Sequence, residues 1–134
     1  MGWVLPTSHN DPDGYWTDEP QAYDGDTGTR SMSSQLGHYL ELFHAAIECE
    51  KIQIWTLIAK SEVLDLFYDG GWHNIFTGAI SGGSYQEFVN PAGVKTVTGA
   101  RLKTMTYNYQ AIYELNFWEE EVAVKGRSFG FVFG

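Results

Sequence analysis

The range of folds open to this chain is restricted most by short runs in which apolar and polar residues alternate. Glycine-containing turns separate these runs. Leu40 and Leu42 fall on one side of an extended segment, while Glu41 and Phe43 fall on the other. The same period of two recurs in residues 52–56, and no stretch keeps helical spacing for more than about one turn. We therefore predict an all-β fold, an antiparallel β-sandwich or jelly roll of about eight strands.

The most specific local signal is the dipeptide Asp69-Gly70, which lies between two runs rich in β-branched and aromatic residues. These runs cover residues 63–68 and 72–76. A short Asp-Gly connection favours a hairpin, because its turn needs positive φ angles that glycine adopts without strain. We predict that the two runs form an antiparallel hairpin.

Charge and length narrow the range of functions. The chain has 134 residues, which suits a single domain. It carries 17 acidic against 8 basic residues, a formal net charge of −9. Such a surface repels nucleic-acid phosphates and anionic lipids, and no cluster of lysine and arginine offsets the repulsion. The sequence therefore predicts neither a nucleic-acid partner nor a membrane partner.

Cysteine content and the amino terminus indicate a compartment. Cys49 is the only cysteine, so no intrachain disulfide can form. This fits the cytoplasm, or a virion made there, better than a secreted disulfide scaffold. No leader pattern follows Met1, and no apolar run approaches the roughly 18 residues of a membrane span. We expect a location in a virion or in the cytoplasm of the producing cell, with no secretion signal.

Catalytic motifs are weak in this sequence. The four histidines lack metal-ligand spacing, and neither a nucleophile elbow nor a phosphate-binding glycine loop occurs. Cys49 lies between Glu48 and Glu50, whose charges would raise its pKa and lower its reactivity. We expect a protein that binds and does not catalyse.

Four segments occur in the order and spacing of a known family. They are residues 22–30 (AYDGDTGTR), 63–72, 100–103 (ARLK) and 111–118 (AIYELNFW). Together they resemble the discoidin, or coagulation-factor type C, family and the related galactose-binding carbohydrate modules. The chain departs from the family after the Thr-Arg pair, where Ser31 stands in place of the usual Trp, and it lacks the family's clamping cysteines. The resemblance implies a galactose-binding-like β-sandwich, which we assign to residues 1–124.

The resemblance also implies a structural Ca²⁺. In such modules the early loop and a glutamate of the last strand hold the ion, and the matching positions here are Asp24, Asp26, Thr29 and Glu114. Calcium prefers oxygen ligands of this kind, supplemented by backbone carbonyls. The alternative interpretation of the same loop is an Asx turn without metal.

Family members bind their ligands through loops at one end of the sandwich, where aromatic rings stack on sugars. The matching loop residues here are His9, Tyr15, Trp16, Tyr107, Asn108 and Tyr109. Tyrosine and tryptophan suit recognition because they are rigid and amphipathic. The alternative is that these tyrosines only cover the end of the sandwich. Arg101, in the middle of a predicted strand, is expected to pair with a carboxylate.

Residues 125–134 form an apolar tail that contains Phe129, Phe131 and Phe133. Exposed phenylalanines favour aggregation unless a partner covers them, so we predict that this tail is an assembly contact. Two functional hypotheses follow. The chain is an attachment or structural subunit of a larger assembly, a homo-oligomer or a phage virion component that contacts host glycans. Alternatively, it is a free-standing, lectin-like carbohydrate-binding module.

Overall fold

The computed structural model describes residues 2–57, 60–105 and 110–120. Their regular structure is almost entirely β, with one short 3-10 turn at Glu19–Ala22. The strands are β1 (Gly2–Val4), β2 (Ser8–Asn10), β3 (Trp16–Thr17), β4 (Ser31–Ser33), β5 (Leu40–Thr56), β6 (Lys60–Tyr68), β7 (Gly71–Ile80), β8 (Tyr85–Val89), β9 (Lys95–Thr104) and β10 (Gln110–Glu119).

All the pairings among these strands are antiparallel, and they join into one continuous sheet. Its main path runs in the order β3-β4-β10-β5-β9-β6-β7. Strand β1 adds to β10, and β2 and β8 both add to β5. The long strand β5 therefore contacts four neighbours, and its register against β9 shifts between Phe43 and Ile47.

The two halves of this sheet lie face to face around a common core. Phe76 of β7 and Phe88 of β8 are not in paired strands, yet their ring centroids are 4.5 Å apart. Gln110 of β10 likewise donates from Nε2 to Glu62 Oε2 of β6 at 2.8 Å, across the halves. These contacts confirm the predicted β-sandwich.

Alternation along the strands fills the core. Leu40 and Leu42 are buried, while Glu41 and Phe43 between and beside them are only partly so, as the sequence pattern predicts. The largest fully buried apolar side chains come from both halves of the sheet and are Leu40, Leu42, Ile52, Ile54, Leu64, Leu66, Ile80, Leu102, Ile112, Leu115 and Phe117. Burial of such aliphatic and aromatic surface is the main stabilising contribution to the fold.

The hairpin prediction is confirmed in detail. Tyr68 pairs with Gly71, so only Asp69 and Gly70 connect β6 to β7. Both turn residues have positive φ, 51° and 79° respectively. This is the combination that a type I′ turn requires, and it matches the right-handed twist of the strands it joins.

The described residues contain ten strands, against the roughly eight predicted from sequence patterning. The difference lies in the first 33 residues, where strands of two or three residues carry too little alternation to be detected. None of the described residues belongs to a helix of the length and apolarity that crossing a bilayer takes. The predicted tail at residues 125–134 lies outside the described residues.

Candidate functional site

Asp11 organises the loop that leads into β3. Its carboxylate accepts hydrogen bonds from the backbone N–H groups of Gly14 (3.0 Å) and Trp16 (2.9 Å). The Gly14 N–H also lies 3.2 Å from the Asp11 carbonyl oxygen, which closes a turn. A short aspartate commonly stabilises turns in this way. The loop therefore holds the residue between these anchors, Tyr15, in a defined position.

Trp16 is a buried anchor, with 3% of its surface exposed. Its indole Nε1 donates to the carbonyl oxygen of His38 at 3.1 Å. The prediction that Trp16 binds ligand directly is therefore wrong, because its ring faces lie in the core. Buried tryptophans usually satisfy their N–H in this manner. The side chain instead fixes His38 beside the loop that carries Tyr15.

Tyr15 and His38 form an exposed aromatic pair. Their ring centroids are 4.1 Å apart with planes inclined at 32°, and His38 Nδ1 lies 2.8 Å from Asp13 Oδ2. Tyr15 keeps 39% of its surface exposed. The group combines an accessible ring with a histidine and a carboxylate. The carboxylate can accept hydrogen bonds from hydroxyl groups, and the histidine ring can donate to them or accept from them.

This group lies at one end of the sandwich. Trp16 pairs with Ser33, which in turn pairs with Gln110 at the start of β10. At the same end the N–H of Gly37 donates to the carbonyl of Thr104, the last residue of β9. The predicted ligand residues Tyr107, Asn108 and Tyr109 lie outside the described residues.

His9 lies apart from the Tyr15 group. It is in β2 and pairs with Leu42 of β5. Its Nδ1 is 2.8 Å from the hydroxyl oxygen of Tyr23, and the two rings are 5.9 Å apart. The prediction that His9 shares a ligand site with Tyr15 is not supported by any contact among the described residues. Its side chain instead ties β2 to the segment before Asp24.

The Asp24–Thr29 loop is closed by its own side chains. Asp24 Oδ1 accepts from the N–H of Asp26 at 3.0 Å, and Asp26 Oδ1 accepts from the N–H of Gly28 at 2.7 Å. Thr29 Oγ1 donates to Asp24 Oδ2. Both aspartates therefore form Asx turns, which is the metal-free interpretation of this sequence.

The side chain of Glu114, in β10, contacts the Asp24–Thr29 loop. Its Oε2 accepts from the N–H of Gly25 at 2.7 Å, which brings the predicted glutamate to the predicted loop. Its Oε1 is buried and has no partner among the described residues. Burial, together with the charges of Asp24 and Asp26, raises the pKa of Glu114 to about 7. The loop thus concentrates negative charge around an unsatisfied oxygen.

These oxygens suit a hard cation in chemistry, although the side chains alone do not complete a site. Among the residues described, no three His, Cys, Asp or Glu side chains are grouped as metal ligands. Calcium draws several of its six to eight oxygens from backbone carbonyls. An ion here would add the unpartnered Glu114 Oε1 to oxygens of Asp24, Asp26 and Thr29 and to carbonyls of the loop, and would offset the local negative charge.

A second buried carboxyl lies beneath the Tyr15 end. Glu62 is fully buried, and it shares the inward period of β6 with Leu64 and Leu66. Its Oε2 accepts from Gln110 Nε2, while Oε1 has no hydrogen-bond partner in the part of the chain described. Burial raises the pKa of Glu62 to about 7, and the hydrogen bond from Gln110 partly opposes this shift. Sequence reasoning missed this group, although the two-residue period points to it.

Two residues considered from the sequence have structural roles. The Arg101 Nε donates to Asp65 Oδ2 at 2.7 Å, which confirms the predicted carboxylate pairing. The guanidinium also lies 3.8 Å from the ring centroid of Tyr39 and 4.4 Å from that of Trp72. Cys49 is buried, and burial, more than the nearby glutamates, raises its pKa to about 11.

Comparison with known proteins gives structural matches only. No family model matches the sequence, and no curated protein matches it. The family 32 carbohydrate-binding module of AlyQ, solved with 4,5-unsaturated mannuronic acid, is 14% identical with a TM-score of 0.69, covering 87% of this chain and 97% of that one. The family 32 module of C. perfringens NanJ, solved with galactose, is 15% identical with a TM-score of 0.69, covering 89% and 100%.

An F5/8 type C domain from Bacteroides fragilis gives a third match, with 12% identity and a TM-score of 0.67. It covers 90% of this chain and 99% of that chain. The matches therefore extend over nearly whole domains on both sides, and they agree with the resemblance noted in the sequence. The chain has the β-sandwich fold of family 32 carbohydrate-binding modules and of F5/8 type C, or discoidin-like, domains.

Proposed function

We propose that this chain is a non-catalytic carbohydrate-binding module that holds a sugar at the Tyr15 end of the sandwich. The observation that carries the proposal is the exposed Tyr15 ring, which packs at a tilt against His38, whose Nδ1 is 2.8 Å from Asp13 Oδ2. A sugar presents an apolar ring face and a rim of hydroxyls. An accessible aromatic face beside polar groups complements both features.

Support for this proposal comes from rigidity and from the structural neighbours. The loop is held by Asp11 and by the buried Trp16, so little ordering is needed on binding, which favours affinity. Two of the neighbours reported above were solved with a sugar or uronic acid bound. Fold alone does not transfer function, so the proposal depends on the side chains of the Tyr15 group.

Replacing Tyr15 is expected to weaken sugar binding. Tyr15→Ala removes the accessible ring and should reduce affinity for mono- or disaccharides by at least about tenfold, equivalent to roughly 1.4 kcal/mol. Tyr15→Phe keeps the ring and should retain most of the affinity. The ligand is first found on a glycan array, and affinities are then measured by isothermal titration calorimetry.

The control is Val94→Ala, because Val94 is 46% exposed and belongs to neither proposed sugar site. Val94 directly precedes β9, at the end of that strand opposite Thr104, so this variant should bind small sugars as the unmodified chain does. Equal losses in Tyr15→Ala and Val94→Ala, or no binding to any glycan on the array, would contradict the proposal.

We further propose that Asp24, Asp26, Thr29 and Glu114 hold a structural Ca²⁺. The support is the buried, unpartnered Oε1 of Glu114 in a surrounding of carboxylates. The ion would supply positive charge that stiffens the loop, and it would take no part in sugar recognition.

Attachment to a larger assembly, such as a phage virion, remains a prediction from the apolar tail. Deleting residues 125–134 removes Phe129, Phe131 and Phe133, and should convert an oligomer into a monomer. Sedimentation equilibrium of the full and shortened chains measures this directly. A replacement of the three phenylalanines by serine, which keeps the length, is the control and should act like the deletion. A monomeric state for all three chains, each at the mass of its own single chain, would refute an assembly role for the tail.

A further inference from the structure

The outer face of the sandwich over β10, β5 and β8 carries a set of aromatic and amide side chains, of which all but the buried Asn116 are at least partly exposed. We call this set the outer strip and define it by the residues Trp3, Gln53, Trp55, Tyr85, Asn116 and Trp118. The strand registers place them together, since Trp55 pairs with Tyr85, Gln53 with Asn116, and Trp3 with Trp118. The strip lies on the side of these strands opposite the buried Ile52 and Ile54.

Aromatic pairs stand at both ends of the outer strip. At one end the rings of Trp55 and Tyr85 are 5.3 Å apart and nearly perpendicular, at 79°. At the other end Trp3 and Trp118 are 5.1 Å apart at 71°. Edge-to-face packing holds each pair in place while leaving part of a ring accessible.

Amides occupy the middle of the strip. Asn116 Nδ2 donates to the hydroxyl oxygen of Tyr85 at 3.4 Å, a long hydrogen bond. The side chain of Gln53, partly exposed, makes no hydrogen bond with any side chain or backbone group of the described residues. An amide offers both a donor and an acceptor, so Gln53 can bind a hydroxyl group that approaches from solvent.

The strip carries almost no uncompensated charge, although the chain has a net charge of −9. Lys51 at its margin lies over both Trp3 and Trp118, 5.6 Å and 5.0 Å from their centroids, and is 3.2 Å from Glu87. The six residues of the strip carry no charge, and the net charge of the whole chain would repel an acidic polymer.

We propose that the outer strip is a second carbohydrate site, which binds a neutral polysaccharide chain lying along β5. Trp55 and Lys51 are four residues apart, so the aromatic ends are separated by about 13 Å at strand rise. That distance exceeds one sugar ring and lies within reach of a short oligosaccharide. The two ends would stack on separate rings of the chain, while Gln53 binds a hydroxyl between them. The inference rests on the proposed carbohydrate-binding function.

The opposite outer face does not have this character. There the Arg101 guanidinium is enclosed between Tyr39 and Trp72 and bonded to Asp65, so its polar groups already satisfy one another. A protein partner is also a poorer match to the strip, because the core of a protein interface is contiguous and apolar. The strip instead alternates rings with hydrogen-bonding amides.

The test is two-dimensional NMR of the intact chain, titrated with neutral oligosaccharides of increasing length and with soluble neutral polysaccharide. The five tryptophans give five indole N–H signals, which single replacements assign. Ligand on the outer strip should shift the signals of Trp55, Trp3 and Trp118. Ligand at the Tyr15 end should shift that of Trp16, whose N–H is bonded to His38. Trp72, on the opposite face, is the internal control.

Affinities of variants separate the two sites. Trp55→Ala and Gln53→Ala should weaken binding of the longer oligosaccharides by at least about tenfold and leave binding of monosaccharides unchanged. Tyr85→Ala should behave as Trp55→Ala does for long chains. Tyr15→Ala should have the reverse pattern and lose monosaccharides.

The outcomes are distinguishable. If oligosaccharides shift only Trp16, and only Tyr15→Ala loses affinity, the outer strip inference is wrong and the proposed function stands. If no neutral or acidic glycan binds, both fail. Exclusive binding of acidic polysaccharide at the strip overturns the inference, as does a dimer by sedimentation that Trp55→Ala dissociates, because the strip is then a contact between copies.

Discussion

Replacing Trp16 by alanine is expected to reduce both stability and sugar binding. The substitution removes a large buried side chain, and Trp→Ala changes in protein cores cost about 3–5 kcal/mol. It also leaves the His38 carbonyl without the indole donor that lies 3.1 Å away. Because Trp16 holds His38 beside Tyr15, the aromatic pair should lose its geometry. Urea titration gives the free energy of unfolding, and calorimetry at a temperature where the variant is folded gives the sugar affinity.

Trp16→Phe is the matched control for this prediction. Phenylalanine retains most of the buried ring and loses the N–H, so the stability cost should be smaller and binding should be partly retained. An alanine variant that is much less stable and yet binds sugar as tightly as the unmodified chain would contradict the positioning role. A variant of unchanged stability would contradict the burial of Trp16.

The free energy of unfolding is expected to fall as the pH rises from about 4.5 to about 7. Glu62 and Glu114 each have a folded-state pKa raised from 4.5 to about 7, mainly by burial. Between these values the folded chain holds protons that the unfolded chain releases, so raising the pH favours unfolding. Above pH 7 both groups are ionised in the folded state, so the cost of burying their charges lowers the free energy of unfolding by its full amount.

The size of this effect is large for a domain of this length. A tenfold difference in proton affinity corresponds to about 1.4 kcal/mol, so each group contributes on the order of 3 kcal/mol between the two limits. Typical domains have a free energy of unfolding of about 5–15 kcal/mol. The measurement is urea unfolding at several pH values between 4.5 and 8, in the presence of a chelator.

Two changes resolve the individual contributions. Glu62→Gln keeps an acceptor for Gln110 and removes the ionisable group, so it should remove the Glu62 share of the pH dependence. Calcium should remove the Glu114 share and stabilise the chain most above pH 7, if the Asp24–Thr29 loop holds the ion as proposed. Stability that rises with pH across this range would refute the assigned protonation of both groups, and an unchanged profile with calcium would refute the metal site.

The fold could be predicted from the sequence because its signals are local. Alternation at Leu40 and Leu42 identified a strand with one buried face, and Asp69-Gly70 identified the hairpin turn. The short strands β1 to β4 were not predictable, because strands of two or three residues contain less than two periods of alternation. Their pairing is decided by the longer strands they join.

The candidate site was predictable only in part. Tyr15 was predicted as a loop residue that binds ligand, and the structure shows that 39% of its surface is exposed. The neighbouring Trp16 is also an aromatic residue at the end of the same loop, yet it is buried. Its burial depends on contacts such as the hydrogen bond to His38, 22 residues away, which the local sequence does not reveal. The contact between His38 Nδ1 and Asp13 Oδ2 likewise joins residues that are 25 positions apart. Local sequence patterns do not predict contacts between residues that are so far apart in the chain.

Trp55 and Trp118 illustrate the same limit. Both tryptophans lie in strands and are partly exposed on an outer face, where Trp55 packs against Tyr85 and Trp118 against Trp3. Period-two patterning does identify which residues share a face. It does not say which face is buried when both carry aromatic residues, so the outer strip emerges only from the strand registers.

Strand β5 begins two residues after His38 and contains both Gln53 and Trp55. Its seventeen residues are hydrogen-bonded to β2, β8, β9 and β10. Elements that share so many neighbours open together and not one at a time. The Tyr15 end and the outer strip therefore belong to a single cooperative unit. A substitution that detaches β5 from its neighbours should abolish binding at both surfaces, whereas local fraying of the shorter strands should abolish binding at neither.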